Sequence, residues 1–218
     1  LLVCAGVSAV KWQANKDPEQ DWAGIQRLLG PLESVRAETV VLISTVDVYP
    51  ASANGADESF DCHGITNHAY GTHRLAVEDR FRELFPRCRI VRLPALFGHG
   101  LKKNILFDLL NDNLLESINP SSSFQYYDMS RLWTDVERAG QLDLDLVNFF
   151  TEPIRTSAIL KRFFPDKSVG AKPAPESHYA FRTMHAGILG GHNGFMFTGD
   201  QVLDQMAQWL TDRQGAGK

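Results

Sequence analysis

Apolar residues in the first hundred positions alternate between short continuous runs and longer stretches with helical spacing. Residues 1–6 form a continuously apolar run and residues 39–43 form a β-branched run without charge, and both are typical of buried parallel strands. A third strand is predicted at residues 88–93, which end before Pro94. Residues 19–36 and 70–85 instead carry apolar side chains every three or four positions, which predicts helices. The order strand, helix, strand, helix, strand predicts an α/β protein with a parallel sheet.

Beyond residue 98 the elements become shorter and their order is less regular. The spacing of apolar residues predicts four helices, over residues 104–115, 135–142, 156–164 and 200–210. Short strands are expected at 124–127 and 146–150, and a proline-rich crossing loop at 165–178. Residues 211–218 are expected to form a frayed tail.

The composition excludes several classes of protein. The chain has 218 residues, of which 44% are hydrophobic and 22% charged, as is ordinary for a globular protein. A net charge of −4 without a basic stripe argues against a nucleic-acid partner. No apolar stretch reaches the ~20 residues that a membrane-spanning helix needs, so no membrane role is predicted. Three widely spaced cysteines (Cys4, Cys62 and Cys88) favour a reducing cytoplasm over a disulfide framework.

Two short segments carry candidate chemistry. Ser44 and Thr45 close the second apolar run, and Tyr70 stands four residues before Arg74, on the same face of the predicted helix. A guanidinium there is expected to lower the Tyr70 pKa from its usual value near ~10. Tyr70 could then exchange a proton with a substrate oxygen that Thr45 holds, while a cofactor carries the hydride. Alternatively, Tyr70 simply packs on the sheet and Arg74 pairs with Glu78.

The segments also occur in an order that resembles a known family, the extended short-chain dehydrogenases/reductases, or NAD-dependent epimerases/dehydratases. The matching segments are Ser44-Thr45-x-x-Val48-Tyr49, Tyr70-x-x-x-Arg74 and Arg92-x-x-Ala95-Leu96-Phe97-Gly98. The resemblance runs from residue 1 to about residue 210. It implies a Rossmann-like doubly wound parallel sheet, N-terminally incomplete, with a small C-terminal substrate lobe. The implied units are residues 1–98 for the remaining half of the dinucleotide-binding domain and 99–210 for the lobe, followed by the tail.

By this resemblance the chain is an NAD(P)-dependent oxidoreductase or epimerase of nucleotide-sugars or of other small carbonyl compounds and alcohols, with NAD or NADP as cofactor. The implied catalytic residues are Thr45, Tyr70 and Arg74. The implied cofactor-binding residues are Ala5, Gly6, Ser44, Tyr70, Arg74, Pro94, Ala95 and Leu96. The implied substrate-binding residues are Thr45, Asp47, Lys102, Lys103 and Arg131. A homodimer through the helix of Tyr70 is also implied.

The sequence departs from the family pattern at four points. The glycine-rich loop and the unit that carries it are absent from this sequence, and residue 1 corresponds to the fourth strand of the family. Arg74 replaces the usual lysine, and Ala95 replaces an asparagine. Val46 and Asp47 stand where sugar dehydratases carry Asp-Glu, so a 4,6-dehydratase is not expected.

Two readings other than an enzyme stay open. The chain could be a catalytically inactive module that binds a nucleotide or a partner on the same fold. It could also be a truncated fragment that cannot hold a dinucleotide. No metal is expected, because the spacing of Cys62, His63, His68 and His73 fits no closed zinc site.

Overall fold

A parallel β-sheet organises the chain in the computed structural model, which describes residues 1–215. Within those residues the sheet has four strands in the spatial order β1–β2–β3–β7. Every neighbouring pair is parallel, and Thr45 lies opposite Leu93 where β2 and β3 end. The strands are Leu2–Cys4 (β1), Val40–Thr45 (β2), Cys88–Leu93 (β3) and Leu146–Asn148 (β7).

Helices cover both faces of this sheet. Lys11–Lys16 (α1) and Pro18–Leu32 (α2) follow β1, Ala69–Leu84 (α3) follows β2, and Leu132–Gln141 (α5) precedes β7. Because successive strand residues point to opposite faces, Val40 and Leu42 pack against α2 and α3, whereas Val41 packs against α5. Burial on both faces explains the unbroken apolar run at the start of β2. The predicted α/β doubly wound parallel sheet is confirmed.

The second half of the chain adds two small sheets and a separate core. Strand β4 pairs in parallel with β6, and β5 pairs antiparallel with β8. These strands are Ala95–Phe97 (β4), Ser123–Phe124 (β5), Tyr126–Asp128 (β6) and Ile154–Arg155 (β8). The core between them is filled by the remaining helices, which are Ile105–Asn111 (α4), Thr156–Phe163 (α6) and Gly199–Gly215 (α7).

Several element boundaries differ from the sequence prediction. Helix α1 was not predicted, because only its Ala14 is buried and it therefore shows no apolar stripe. Helix α4 ends at Asn111, since Asp112 adopts a left-handed conformation that stops the helix. The tail prediction is wrong for residues 211–215, which extend α7, while 216–218 lie outside the described residues. Within the described part, no helix has the length and apolar character needed to cross a membrane.

Candidate active site

Thr45 and Tyr70 come together at the carboxyl end of β2. The Thr45 hydroxyl accepts a hydrogen bond from the Asp47 backbone N–H at 3.2 Å, which leaves its own proton free to be donated. The Thr45 hydroxyl lies near enough to the Tyr70 phenol to act on it, and this influence lowers the Tyr70 pKa. Tyr70 itself is only 5% exposed, and its backbone N–H donates to Asn15 Oδ1 at 2.9 Å.

The net pKa of Tyr70 is raised, which corrects the sequence-based expectation. Burial of the phenol is the largest influence and raises the pKa, and the Asp47 carboxylate acts in the same direction. Arg74, Thr45 and Lys11 each lower the pKa, but together they do not outweigh burial. Tyr70 is therefore a protonated phenol at neutral pH.

Gly71 allows α3 to approach the turn that follows β2 at residues Val46–Val48. A Cβ atom at this glycine would meet the Asp47 backbone oxygen and the Asn67 amide at well under 3.0 Å. Asn67 Nδ2 fixes the same turn by donating to the backbone oxygens of Asp47 and Val48, at 2.9 and 3.2 Å. The missing side chain therefore sets how closely Tyr70 approaches Thr45.

Arg74 is held inside the protein rather than at the mouth of the site. Its side chain is 4% exposed, and both terminal nitrogens bind the Asp21 carboxylate, one of them at 2.9 Å. The same guanidinium also donates to the backbone oxygen of Ser8 and lies over the Tyr70 ring, 4.0 Å from its centroid. His73 Nδ1 lies 2.8 Å from Asp21 as well. All the hydrogen bonds seen for the two terminal nitrogens of Arg74 are to groups inside the protein. Binding of a cofactor ribose by Arg74 stays a prediction.

Asp47 is the centre of a second polar cluster beside Tyr70. Its Oδ1 accepts from Lys11 Nζ at 2.6 Å and from the Tyr179 hydroxyl at 3.2 Å. Lys11 Nζ also donates to the Tyr179 hydroxyl at 3.0 Å. His68 Nδ1 accepts from the Gly71 N–H, so the proton of the neutral ring is on Nε2, which lies 3.7 Å from Asp47 Oδ1.

The charges of this cluster are fixed at neutral pH. Burial opposes ionisation of Asp47, but His68 and Lys11 outweigh it and lower the pKa of that carboxyl to about 2. Burial likewise disfavours the charge on Lys11, yet Asp47 and Tyr179 outweigh it and raise the Lys11 pKa. An ammonium–carboxylate pair therefore stands next to the Tyr70 phenol.

Of the other predicted substrate residues, Lys103 lies near the Asp47 cluster and Arg131 has partners elsewhere. Lys103 donates to the backbone oxygen of Ala9, and its pKa is lowered by burial although the nearby Asp47 opposes the shift. Lys102 is exposed. The contacts seen for Arg131 are with Asp135, at 3.3 Å, and with the Phe197 ring. Lys103 alone of these three is shown to interact with the cluster.

The predicted cofactor residues are also unevenly available. Ala5 and Gly6 are exposed where β1 ends, and Ala95 and Leu96 are half-buried after the buried Pro94. Ser44 instead donates to Glu78 at 2.5 Å, in a buried network with Arg92. Among the predicted cofactor residues, Ala5 and Gly6 are thus the ones most accessible to a ligand.

Sequence reasoning missed four residues that shape the site, namely Lys11, Asn15, Asp21 and Tyr179. Lys11 and Asn15 are one turn apart on α1, whose polar sequence resembles a loop. Tyr179 is 168 positions from its partner Lys11, so no local pattern could connect them. Only the acidic residue at 21, in a predicted helix, could have suggested a partner for Arg74.

No protein-family model matches the chain, and no curated protein matches it in sequence. Solved structures do match. A dTDP-4-dehydrorhamnose reductase from Clostridium acetobutylicum has a TM-score of 0.71 at 16% identity, covering 98% of this chain and 81% of that one. An epimerase from Methanothermobacter thermautotrophicus has a TM-score of 0.67 at 13% identity, covering 98% and 72%.

A UDP-glucose 4-epimerase from Thermotoga maritima, solved with UDP-glucose, is similar as well. Its TM-score is 0.63 at 15% identity, with 84% of this chain and 68% of that chain covered. Identities this low establish the fold alone. The chain has the Rossmann-like fold of the extended short-chain dehydrogenases/reductases, as its sequence motifs predicted.

Proposed function

We propose that this chain carries the tyrosine site of an NAD(P)-dependent oxidoreductase or epimerase of the extended short-chain family, acting on a nucleotide-sugar. The observation that carries the proposal is the placement of Thr45 at the carboxyl end of β2, with Tyr70 in the first turn of α3 near enough for Thr45 to influence its pKa. In open α/β sheets this edge is where ligands bind. Similar structures include nucleotide-sugar epimerases and reductases, among them a Pseudomonas aeruginosa protein complexed with NADPH.

In this proposal Tyr70 is the acid/base and Thr45 orients the substrate oxygen. Burial keeps the Tyr70 pKa above its usual value, so the resting group is a phenol that can donate a proton. A proton donor suits the reduction of a carbonyl, in which the oxygen gains a proton as its carbon gains a hydride. In the reverse direction the Tyr70 phenolate takes the proton of the sugar hydroxyl.

NAD or NADP would supply or accept the hydride when bound. The residues that support such a cofactor are Ala5 and Gly6, whose exposed backbone and short side chains leave room beside the end of β1. Leu28 is the nearest side chain to a Cβ built on Gly6, at 3.5 Å, so this surface is not crowded.

Turnover assays with single-atom variants test the proposal. Oxidation of NADPH and NADH is followed with 4-keto nucleotide-sugars, and reduction of NADP+ and NAD+ with 4-hydroxy nucleotide-sugars. Epimerisation, which leaves the cofactor unchanged overall, is followed by separating the two sugar epimers. We expect Tyr70→Phe to reduce kcat by about 10²–10⁴-fold, because it removes only the proton that is transferred. Tyr126→Phe is the matched control, since it deletes another buried phenol within a different core. Equal turnover in Tyr70→Phe and the native chain would rule out the catalytic assignment.

A module that binds a nucleotide without chemistry is the second candidate, and one observation favours it. The cation of the motif, Arg74, is neutralised by Asp21 in a buried pair, and Tyr70 is almost fully covered. In that case calorimetry would detect binding of a nucleotide-sugar, no member of the panel would turn over, and Tyr70→Phe would leave the affinity unchanged.

The proposal also covers a homodimer, a reducing cytoplasm and a division of the chain at residue 98. The dimer would use the outer face of α2 and α3, where Trp22 and Ala76 line a shallow groove. Light scattering across a concentration series tests it, and a constant monomer mass would exclude it. A reducing cytoplasm fits the three free, buried cysteines, and the division at residue 98 follows the change in element order.

A further inference from the structure

We propose that Lys11 is a second cation for the Tyr70 hydroxyl, beside the buried Arg74 that the sequence motif supplies, and that its free donor faces the ligand. Lys11 acts as a positioning residue, together with Asp47. This inference rests on the proposed function, because it assigns a charge that favours release of the proton from the acid/base.

The first step is that Arg74 is committed elsewhere. Its terminal nitrogens bind the Asp21 carboxylate and the Ser8 carbonyl, and its guanidinium lies over the face of the Tyr70 ring instead of at the hydroxyl. Asp21 balances its charge. Moving Arg74 toward a ligand would break a buried ion pair and leave the Asp21 carboxylate without its cation.

The second step is the position of Lys11. Asn15 Oδ1 accepts the Tyr70 backbone N–H, so this face of α1 packs on the start of α3. Lys11 lies four residues earlier on the same face. Its Nζ reaches Asp47 Oδ1 at 2.6 Å, and Asp47 directly follows Val46, the neighbour of Thr45. Lys11 therefore reaches the edge of the sheet where the phenol meets the Thr45 hydroxyl.

The third step is the count of donors on Lys11. An ammonium has three N–H groups, and the contacts among the described residues use two of them, to Asp47 and to the Tyr179 hydroxyl. The third remains for an oxygen at the site. The Lys11 side chain is 36% exposed, so this donor can reach a ligand without unburying the pair.

The fourth step is the opposing influence of the two charges on Tyr70. Lys11 lowers the Tyr70 pKa and Asp47 raises it. The other groups that face this phenol are Arg74 and Thr45, which lower the pKa, while the His68 ring lies 6.3 Å from the tyrosine ring. Removing the Lys11 charge should thus raise the Tyr70 pKa, and removing the Asp47 charge should lower it. Two purely structural contacts would not produce shifts of opposite sign.

The test reads the titration of Tyr70 without substrate or cofactor. Tyr70→3-fluorotyrosine is introduced into the full chain, and its ionisation is followed by fluorine NMR. We expect Lys11→Met to raise the midpoint by about 0.5–1 pH unit and Asp47→Asn to lower it by a similar amount. Lys11→Arg should stay near the native midpoint. The matched control is Lys16→Met, which removes an exposed charge from the same helix.

The inference is overturned if Lys11→Met gives the same midpoint as Lys16→Met, or if both pair variants move in one direction. Should Lys11→Met fail to fold, Asp47→Asn decides alone, and a midpoint that is not lowered refutes the pairing. These results are independent of turnover. A Tyr70→Phe variant that keeps its activity would refute the proposed function whatever the fluorine signal shows.

Discussion

Gly71→Ala should disrupt the site through a single methyl group. The added Cβ would overlap the Asp47 backbone oxygen, and this oxygen cannot rotate away as a flexible side chain could. Overpacking of this kind costs typically about 1–3 kcal/mol. A helical Gly→Ala change otherwise gains at most about 1 kcal/mol, and less in the first turn of α3, where Gly71 lies.

Because the clash is with backbone, we expect an overpacking cost at the upper end of this range, about 3 kcal/mol. After the gain of up to about 1 kcal/mol from the alanine, the free energy of unfolding should fall by about 2 kcal/mol. For a chain of this length that corresponds to a fall in Tm of about 4–8 °C. Turnover should fall further, by about 10²-fold, because a shift of roughly 1 Å in α3 moves Tyr70 away from Thr45. Urea denaturation and thermal melting measure the first effect, and initial rates measure the second.

The matched control is Gly24→Ala in α2. Its Cβ would find only the Arg27 side chain, at 3.8 Å, so this change should be neutral or stabilising by up to about 1 kcal/mol. The reasoning is refuted if Gly71→Ala is as stable as Gly24→Ala.

Two further predictions concern the buried charges. Asp21→Ala should lower the free energy of unfolding by about 3–5 kcal/mol in urea, because it leaves the buried Arg74 guanidinium without its carboxylate. The pair variant Asp21→Leu with Arg74→Met should recover most of this loss; an equal loss in both would contradict the ion-pair account. Asp47, whose pKa falls from 3.8 to about 2 on folding, stabilises the protein above pH 4. About 2 kcal/mol should be lost as the pH falls from 4 to 2, and Tm measured against pH should be flatter there in Asp47→Asn.

The backbone of the site could be predicted from the sequence because its signals are local. Residues 40–43 of β2 are apolar at every position, since this part of the strand is covered on both faces, and Pro86 ends the pattern just beyond α3. These two elements alone bring Thr45 and Tyr70 to one edge of the sheet.

The electrostatics could not be predicted, because they depend on distant partners. The spacing of the motif places Arg74 one turn after Tyr70, but its direction is decided by Asp21, 53 positions upstream. The sign of the net pKa shift of Tyr70 depends on burial of the phenol, which no local pattern around Tyr70 indicates. Residue types thus suggested Thr45, Tyr70 and Arg74 as candidates, whereas their charge environment depends on burial and on partners that are distant in the sequence.

The cluster at Asp47 also has a consequence for motion. One carboxylate joins α1, through Lys11, to the segment at Tyr179 that crosses from the other end of the chain. Opening either segment breaks hydrogen bonds in which the other takes part, so we expect the two to be coupled in local unfolding. A ligand that engages the free donor of Lys11 would therefore stiffen both α1 and the segment at Tyr179.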